Sequence, residues 1–316
     1  MNQLTNITVP RRILGKTNLS VPVIPFGTQG FGNHFGFVDD DQAVSLVKHA
    51  ISIGVNHFDC ARCYGDSQRK LGIALRTIPR DTVVITGRLC CHSSAQWATS
   101  DGTDIDYSAD RVERDIEDQL LELGISYFDA VLIHDPLNME PTLIKDGTLS
   151  GLLKLKSRGL VNHIGYGMRP HQYHLEALAT NDVDLMLCFS DYNLVRQTAA
   201  NVLLKAASET GVGVMNGWSI LRGLLTGADI PEASVKGKRN LNDMDRITAQ
   251  SRLEWCNRHN IDLLQLAIQF CLREKRIHAN PIGSLNANQL NHNVKAAMTT
   301  IDEDIWTKYY EDFPIN

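Results

Sequence analysis

Residues 55–87 read VNHFDCARCYGDSQRKLGIALRTIPRDTVVITG, and this stretch decides the fold. Val55 to Ala61 is a short, largely apolar run suited to a buried strand. Asp66 to Arg76 follows with helical spacing, and Thr82 to Gly87 is a second buried run. Strand, helix and strand in so short a span is the unit of a parallel sheet, because the crossover helix returns the chain to begin the next strand in the same direction.

The unit repeats on both sides. Upstream, Arg11 to Pro22 predicts a hairpin turning at Gly15-Lys16-Thr17-Asn18, Val21 to Gly27 a strand, and Asp41 to Gly54 a helix with Ala43, Val44, Leu46, Val47, Ala50 and Ile51 on one face. Downstream, a helix capped by Ser108 carries Val112, Ile116, Leu120 and Leu123 to a stop at Gly124. Strands are then expected at Phe128–Asp135, His163–Gly167, Asp184–Tyr192, Gly213–Gly217 and Ile277–Gly283. The helices between and after them are expected at 152–157, 171–179, 199–210, 243–274 with a break near Asn260, and 288–298.

Eight strands alternating with helices predict an α/β fold, a closed (β/α)8 TIM barrel with an N-terminal β-hairpin, as one domain over residues 1–316. A doubly wound sheet that binds a dinucleotide would place G-x-G-x-x-G directly after its first strand. Here Gly30-Phe31-Gly32-Asn33-His34-Phe35-Gly36 has the wrong spacing and runs into Asp39-Asp40-Asp41, so it reads as a loop.

The chain has 316 residues, 43% of them apolar, and 31 basic against 36 acidic side chains, for a net charge of -5. No Lys/Arg block supplies a footprint for nucleic acid, and no apolar run approaches the ~20 residues that cross a bilayer. The start MNQLTNITVPRR lacks the apolar core of a signal peptide, so a cytoplasmic location is expected. Seven cysteines, an odd number on a long chain, argue against a disulfide framework. Oligomeric state has no signature here.

In a barrel, chemistry collects at the C-terminal ends of the strands, which here hold Asp59, Tyr64, Arg88 and His134. Singly, Tyr64 reads as a surface or core tyrosine, His134 as a satisfied buried histidine and Asp59 as a partner for Arg88; their joint position marks a site. Cys60-x-x-Cys63, Cys90-Cys91-His92 and His134 also gather at strand ends, and thiolates with imidazole suit Zn²⁺. Cys60 should alternate away from Asp59, however, Cys90 and Cys91 should point to opposite sides, and no second CxxC exists. Buried free cysteines are therefore the simpler reading, with no metal expected and no Cys60/Cys63 redox pair.

Asn56-His57-Phe58-Asp59-Cys60-Ala61-Arg62-Cys63-Tyr64-Gly65, followed by Ser67 and Leu71-Gly72, resembles the strand-two signature of the aldo-keto reductases. The resemblance runs from Arg12-Ile13-Leu14-Gly15 through Phe128-Asp129 and His134 to Gly283, Gln289-Leu290 and Asn293. Within that family, Tyr107-Ser108-Ala109-Asp110-Arg111-Val112, Ile133-His134-Asp135-Pro136 and Gly165-Tyr166-Gly167-Met168 are most similar to the sugar 1-dehydrogenase branch, whose members oxidise galactose- or fucose-type aldoses and, in relatives, pyridoxal.

The resemblance implies an NAD(P)-dependent oxidoreductase moving a hydride between nicotinamide and the carbonyl or lactol carbon of an aldose or related small carbonyl compound. Tyr64 would be the general acid/base and His134 would orient the substrate oxygen. Arg88 stands where the family carries a lysine. One cation about 4 Å from a phenol, at an effective dielectric of about 20, is worth about 4 kcal/mol, enough to lower the phenol pKa from ~10 by about three pH units. Arg88 keeps that charge but changes its shape to a planar fork, which Asp59 can hold by two bonds away from the phenol, with Gly87 leaving room for the larger head.

The same resemblance implies cofactor contacts from Gly27 and Thr28 under the nicotinamide ribose, from Asp59, from Gly167 near the carboxamide and from Trp218 and Leu221 in the loop facing the pyrophosphate. After strand eight, Gly283, Ser284, Gln289 and Asn293 complete the set. The two cations that grip an NADP 2′-phosphate in the family fall here on Gly283 and Gln289, so NAD is the expected coenzyme, with NADP possible through a cation from another loop. Two other activities fit the same residues: a non-catalytic cofactor-binding partner, and a lyase or epimerase using Tyr64 with transient oxidation. The loops 91–106 and 137–148 are expected to shape the substrate pocket.

Overall fold

The computed structural model describes residues 9–92, 105–227, 230 and 241–314. The lead before Val9 and most of the expected substrate loop 91–106 lie outside these residues. The hairpin forms as expected: β1 (Arg11–Ile13) pairs antiparallel with β2 (Ser20–Pro22). Seven strands then pair in parallel and in chain order, namely β3 (Phe26–Gly27), β4 (His57–Asp59), β5 (Val84–Cys90), β6 (Phe128–His134), β7 (Val161–Gly167), β8 (Leu185–Phe189) and β9 (Gly213–Gly217).

Two expected strands differ from the sequence reading. Val21 to Gly27 divides between β2 and β3, because Pro22 and Pro25 lack the N–H that a continuous ladder requires. The eighth strand is reduced to two parallel bridges, Met215 with Ala279 and Phe26 with Ile282, again around a proline, Pro281. Those bridges suffice to close the ring. Asn216 donates to Ala279 O at 2.8 Å on one side, and Ile282 donates to Pro25 O at 3.0 Å on the other. The result is a (β/α)8 barrel.

The helices are α1 (Asp40–Ser52), α2 (Ser67–Leu75), α3 (Ala109–Leu123), α4 (Glu140–Leu143), α5 (Thr148–Ser157), α6 (His171–Ala179), α7 (Leu203–Thr210), α8 (Asp243–His259), α9 (Leu263–Arg273), α10 (Ala287–Met298) and α11 (Glu303–Asp312). Asp39 caps α1 in a capping box with Gln42, so the helix begins at Asp40, one residue ahead of the expected start, and Asn260 in the left-handed conformation makes the break between α8 and α9. The sequence reading had no α11. It packs Trp306 and Tyr309 inward, and Tyr309 meets Trp255 of α8 edge-on at 5.2 Å.

Inside the barrel, Ala130, Leu132, Leu185, Leu187, Met215 and Ala279 pack on Leu14 and Val21 of the hairpin. Lys16 N donates to Gly211 O at 2.8 Å, just before β9 begins. The hairpin therefore stoppers the N-terminal end, and the opposite end is left for chemistry. No helix among the described residues is long and apolar enough to cross a membrane.

Candidate active site

Each strand carries its side chain to the rim by alternation. Asp59 ends β4, His134 ends β6, and Arg88 lies two residues before the end of β5, so that it shares the inward face with Cys90, the partner of His134 in register. Tyr64 is on no strand. It sits in the turn after β4, where its N–H donates to Ala61 O at 3.1 Å, and its backbone lies against Gly32, where a Cβ would fall 1.8 Å from Tyr64 O. The glycine-rich stretch 30–36 is thus a loop, as its spacing implied, and it braces the tyrosine.

The four side chains converge. Arg88 donates to Asp59 through Nη2 at 2.6 Å and Nε at 3.2 Å, and its Nη1 lies 3.1 Å from His134 Nε2. All three residues are buried. The guanidinium carbon stands 5.7 Å from the centre of the half-buried Tyr64 ring, and the His134 ring meets that ring edge-on at 6.2 Å. Since a guanidinium only donates, His134 Nε2 accepts and the neutral ring carries its proton on Nδ1. Burial, with Arg88 and His92 adding to it, holds the His134 pKa well below the usual imidazole range, so the ring is neutral.

Two expectations change. Burial pushes the Tyr64 phenol well above its ordinary value; Arg88 pulls it down, but Asp59 pushes it up. Arg88 lies off the phenol and its charge is answered by Asp59, so desolvation wins over the expected depression. Gly87 does not accommodate the guanidinium. It faces the other side of the strand, where a Cβ would come within 2.5 Å of the Phe128 ring.

The cluster lies in a cleft of about 910 Å³, a size within the range of ligand sites. Asp59, Tyr64, Arg88 and His134 line it, as do Gly27, Trp218, Gly283, Ser284, Gln289 and Asn293. Three residues expected to contact a cofactor do not line the cleft. Thr28 is buried, donating to Asp59 O at 3.1 Å; Leu221 points into the core; Gly167 lies behind Leu132 and Leu187. Gln289 Oε1 accepts from Leu285 N at 2.8 Å, and Asn293 Nδ2 donates to Ser284 Oγ at 3.1 Å, so these side chains are ordered across the end of the cleft.

Arg222, in the loop after β9, was not among the residues expected to contact a cofactor. Arg222 lines the cleft, with its guanidinium 4.9 Å from the Trp218 ring and 5.2 Å from Phe35. Its Nε and the buried Ser219 Oγ have no hydrogen-bond partner among the described residues. Unpartnered donors facing a cleft are suited to an anionic ligand, and an arginine in a loop after a strand is the signal that was available.

A second cluster adjoins the first. Cys63, Cys90, His92 and His134 each offer a ligand atom, all within 4.8 Å of one another. The expected scatter holds only for Cys60, 4.0 Å from Gln68 Nε2, and for Cys91, 3.7 Å from Arg111 Nη2.

Barrel, rim cluster and long cleft with free anion donors define an enzyme that holds an extended cofactor against a small substrate. A sequence model of the aldo/keto reductase family matches residues 23–311, and the chain belongs to that family as an NAD(P)-dependent oxidoreductase. It is 27% identical over 312 residues to D-threo-aldose 1-dehydrogenase of a Pseudomonas species, covering 93% of this chain and 94% of that one. It is 29% identical over 301 residues to L-galactose dehydrogenase of Arabidopsis thaliana, covering 92% and 88%. Pyridoxal 4-dehydrogenase of Microbacterium luteolum is 25% identical over 337 residues, covering 94% and 95%. These relatives match the branch that the sequence motifs resemble. The fold is shared with an aldo-keto reductase of Bacillus halodurans in its holo form, at a TM-score of 0.79 and 21% identity over 96% of each chain.

Proposed function

We propose that this protein oxidises an aldose, or a related cyclic hemiacetal, to the lactone with NAD, and that Tyr64 carries the proton. The observation that supports this reading most is the convergence of Tyr64, Asp59, Arg88 and His134 at one end of a cleft whose other parts are Ser219, Arg222, Ser284 and Asn293. The unpartnered Ser219 Oγ and Arg222 Nε suit the pyrophosphate of a dinucleotide, and Ser284 and Asn293 suit a ribose. Gly283 and Gln289 offer no cation for a 2′-phosphate, which favours NAD over NADP.

A bound nicotinamide would accept the hydride from the substrate carbon in oxidation and return it in reduction. The protein's share is proton handling and placement. Tyr64 Oη takes the proton of the sugar hydroxyl in one direction and gives it back in the other. An incoming substrate oxygen competes with His134 Nε2 for the Nη1 donor of Arg88, while Asp59 keeps the guanidinium from turning away. His134, neutral, accepts that donor when the site is empty of substrate.

The test is incubation with a panel of sugars and NAD, following both the reduced-nicotinamide absorbance and the sugar products. Lactone with stoichiometric NADH supports the reading. Altered sugar without net NADH means a lyase or epimerase with internal redox, and coenzyme binding with neither product means a non-catalytic partner.

A further inference from the structure

We propose that Cys63, Cys90, His92 and His134 form a binding site for one thiophilic divalent cation of the Zn²⁺ type, and that its occupancy switches the oxidoreductase off by taking His134. The four come from the turn after β4, the end of β5, the residue pair following it and the end of β6, so the pairing of three neighbouring strands assembles residues far apart in sequence. Tetrahedral Zn²⁺ with sulfur at ~2.3 Å and nitrogen at ~2.1 Å separates its ligand atoms by roughly 3.4–3.8 Å. Cys63 Sγ and His134 Nδ1 already stand 3.6 Å apart, and no pair in the cluster exceeds 4.8 Å. The His92 and His134 rings meet edge-on at 5.4 Å. Cys63, His92 and His134 line the cleft, which gives an ion its path from solvent, and Cys90 closes the site from behind.

The choice of ligands suits the neighbourhood. A cation bound by imidazoles alone would place two positive charges beside Arg88. Two cysteines remove that cost: each loses its thiol proton on binding, so the ion brings two charges and two protons leave. His134 binds through Nδ1, and its proton passes to Nε2, which gives up the Arg88 donor and turns to the Asp135 carboxylate now 3.8 Å away. The ion therefore costs the catalytic cluster its Arg88–His134 bond and fills the space beside Tyr64.

The test is titration of the reduced, tag-free, metal-stripped full chain with Co²⁺ under argon. One equivalent should bring a thiolate-to-cobalt charge-transfer band in the near ultraviolet and the visible bands of a tetrahedral ion, with release of about two protons, and Zn²⁺ should bleach both. Cys90→Ser should weaken binding at least about a hundredfold and keep metal-free activity within a few-fold. Zn²⁺ should inhibit the wild type in step with occupancy and spare Cys90→Ser at the same concentration. Absence of the thiolate band in the wild type overturns the proposal whatever the state of the variants or of the catalytic reading. So does an unchanged titration in Cys90→Ser and His92→Ala.

Discussion

Asp59 holds Arg88 by both arms of its fork, Nη2 at 2.6 Å and Nε at 3.2 Å, across the adjacent strands β4 and β5. Two buried, oppositely charged groups in this geometry restrain each other strongly, because removing either partner leaves the other's charge buried and unpaired. Arg88 is thereby fixed in direction, with Nη1 the one nitrogen aimed at His134 and the reacting region.

Arg88→Met is expected to destabilise the fold by about 3–5 kcal/mol, since Asp59 would be buried alone. It should also abolish most activity and move the alkaline limb of any residual activity upward, because the group that lowers the Tyr64 pKa is gone. Arg88→Lys should retain or improve activity. Thermal unfolding together with kcat/KM against pH checks both, and a Met variant with the wild-type stability and profile would make the pairing irrelevant.

Tyr64→Phe should reduce turnover by ~10² or more while folding and coenzyme binding stay near normal, as only the transferable proton is removed. With the phenol pKa raised, its base form is populated only at high pH. Oxidation should accordingly quicken as pH rises through the alkaline range, and this limb should vanish in Tyr64→Phe. Stopped-time assays in both directions across pH measure it.

NAD should bind at least about tenfold more tightly than NADP, a difference of ~1.4 kcal/mol. Arg222→Ala should weaken both coenzymes to a similar extent, since a pyrophosphate contact is common to them. Quenching of tryptophan fluorescence by NADH and NADPH in low salt reads both constants. Tighter binding of NADPH would place a 2′-phosphate cation elsewhere in the cleft.

Acid stability should depend on Asp184. Burial alone would raise its pKa, but the His163 ring 3.7 Å away, a hydrogen bond from Lys156 at 2.6 Å and the Ile164 N–H at 2.9 Å hold it at about 2. The unfolded value is ~3.9, so this carboxylate stabilises the fold above about pH 4 and ceases to as pH falls toward 2. Asp184→Asn should cost about 1 kcal/mol at pH 7, after allowance for partial exposure, and the gap to wild type should narrow at pH 2.5. Urea unfolding at the two pH values is the measurement.

Much of the molecule was legible along the chain. The alternation of short apolar runs with helical spacing placed seven barrel strands and the hairpin, and strand ends pointed to Asp59, Arg88 and His134, because both signals are carried by neighbours within a few residues. The eighth strand was visible as an apolar run but not as a pair of bridges around Pro281. Helix α11 was missed because its burial rests on Trp255 and Phe270, far away in sequence.

What the chain alone determined, then, is the order of strands and helices and the identity of the side chains at the rim: these follow from local period, capping and turn chemistry. Only the closed barrel decided what those side chains do to one another. It turned Arg88 onto Asp59, left the Tyr64 phenol raised rather than lowered, set Gly87 against Phe128, sent Arg222 into the cleft and gathered Cys63 and Cys90 with two histidines while Cys60 and Cys91 stayed apart. The reason is physical: distance and desolvation between residues of different strands depend on register, twist and ring closure, and these are properties of the whole sheet.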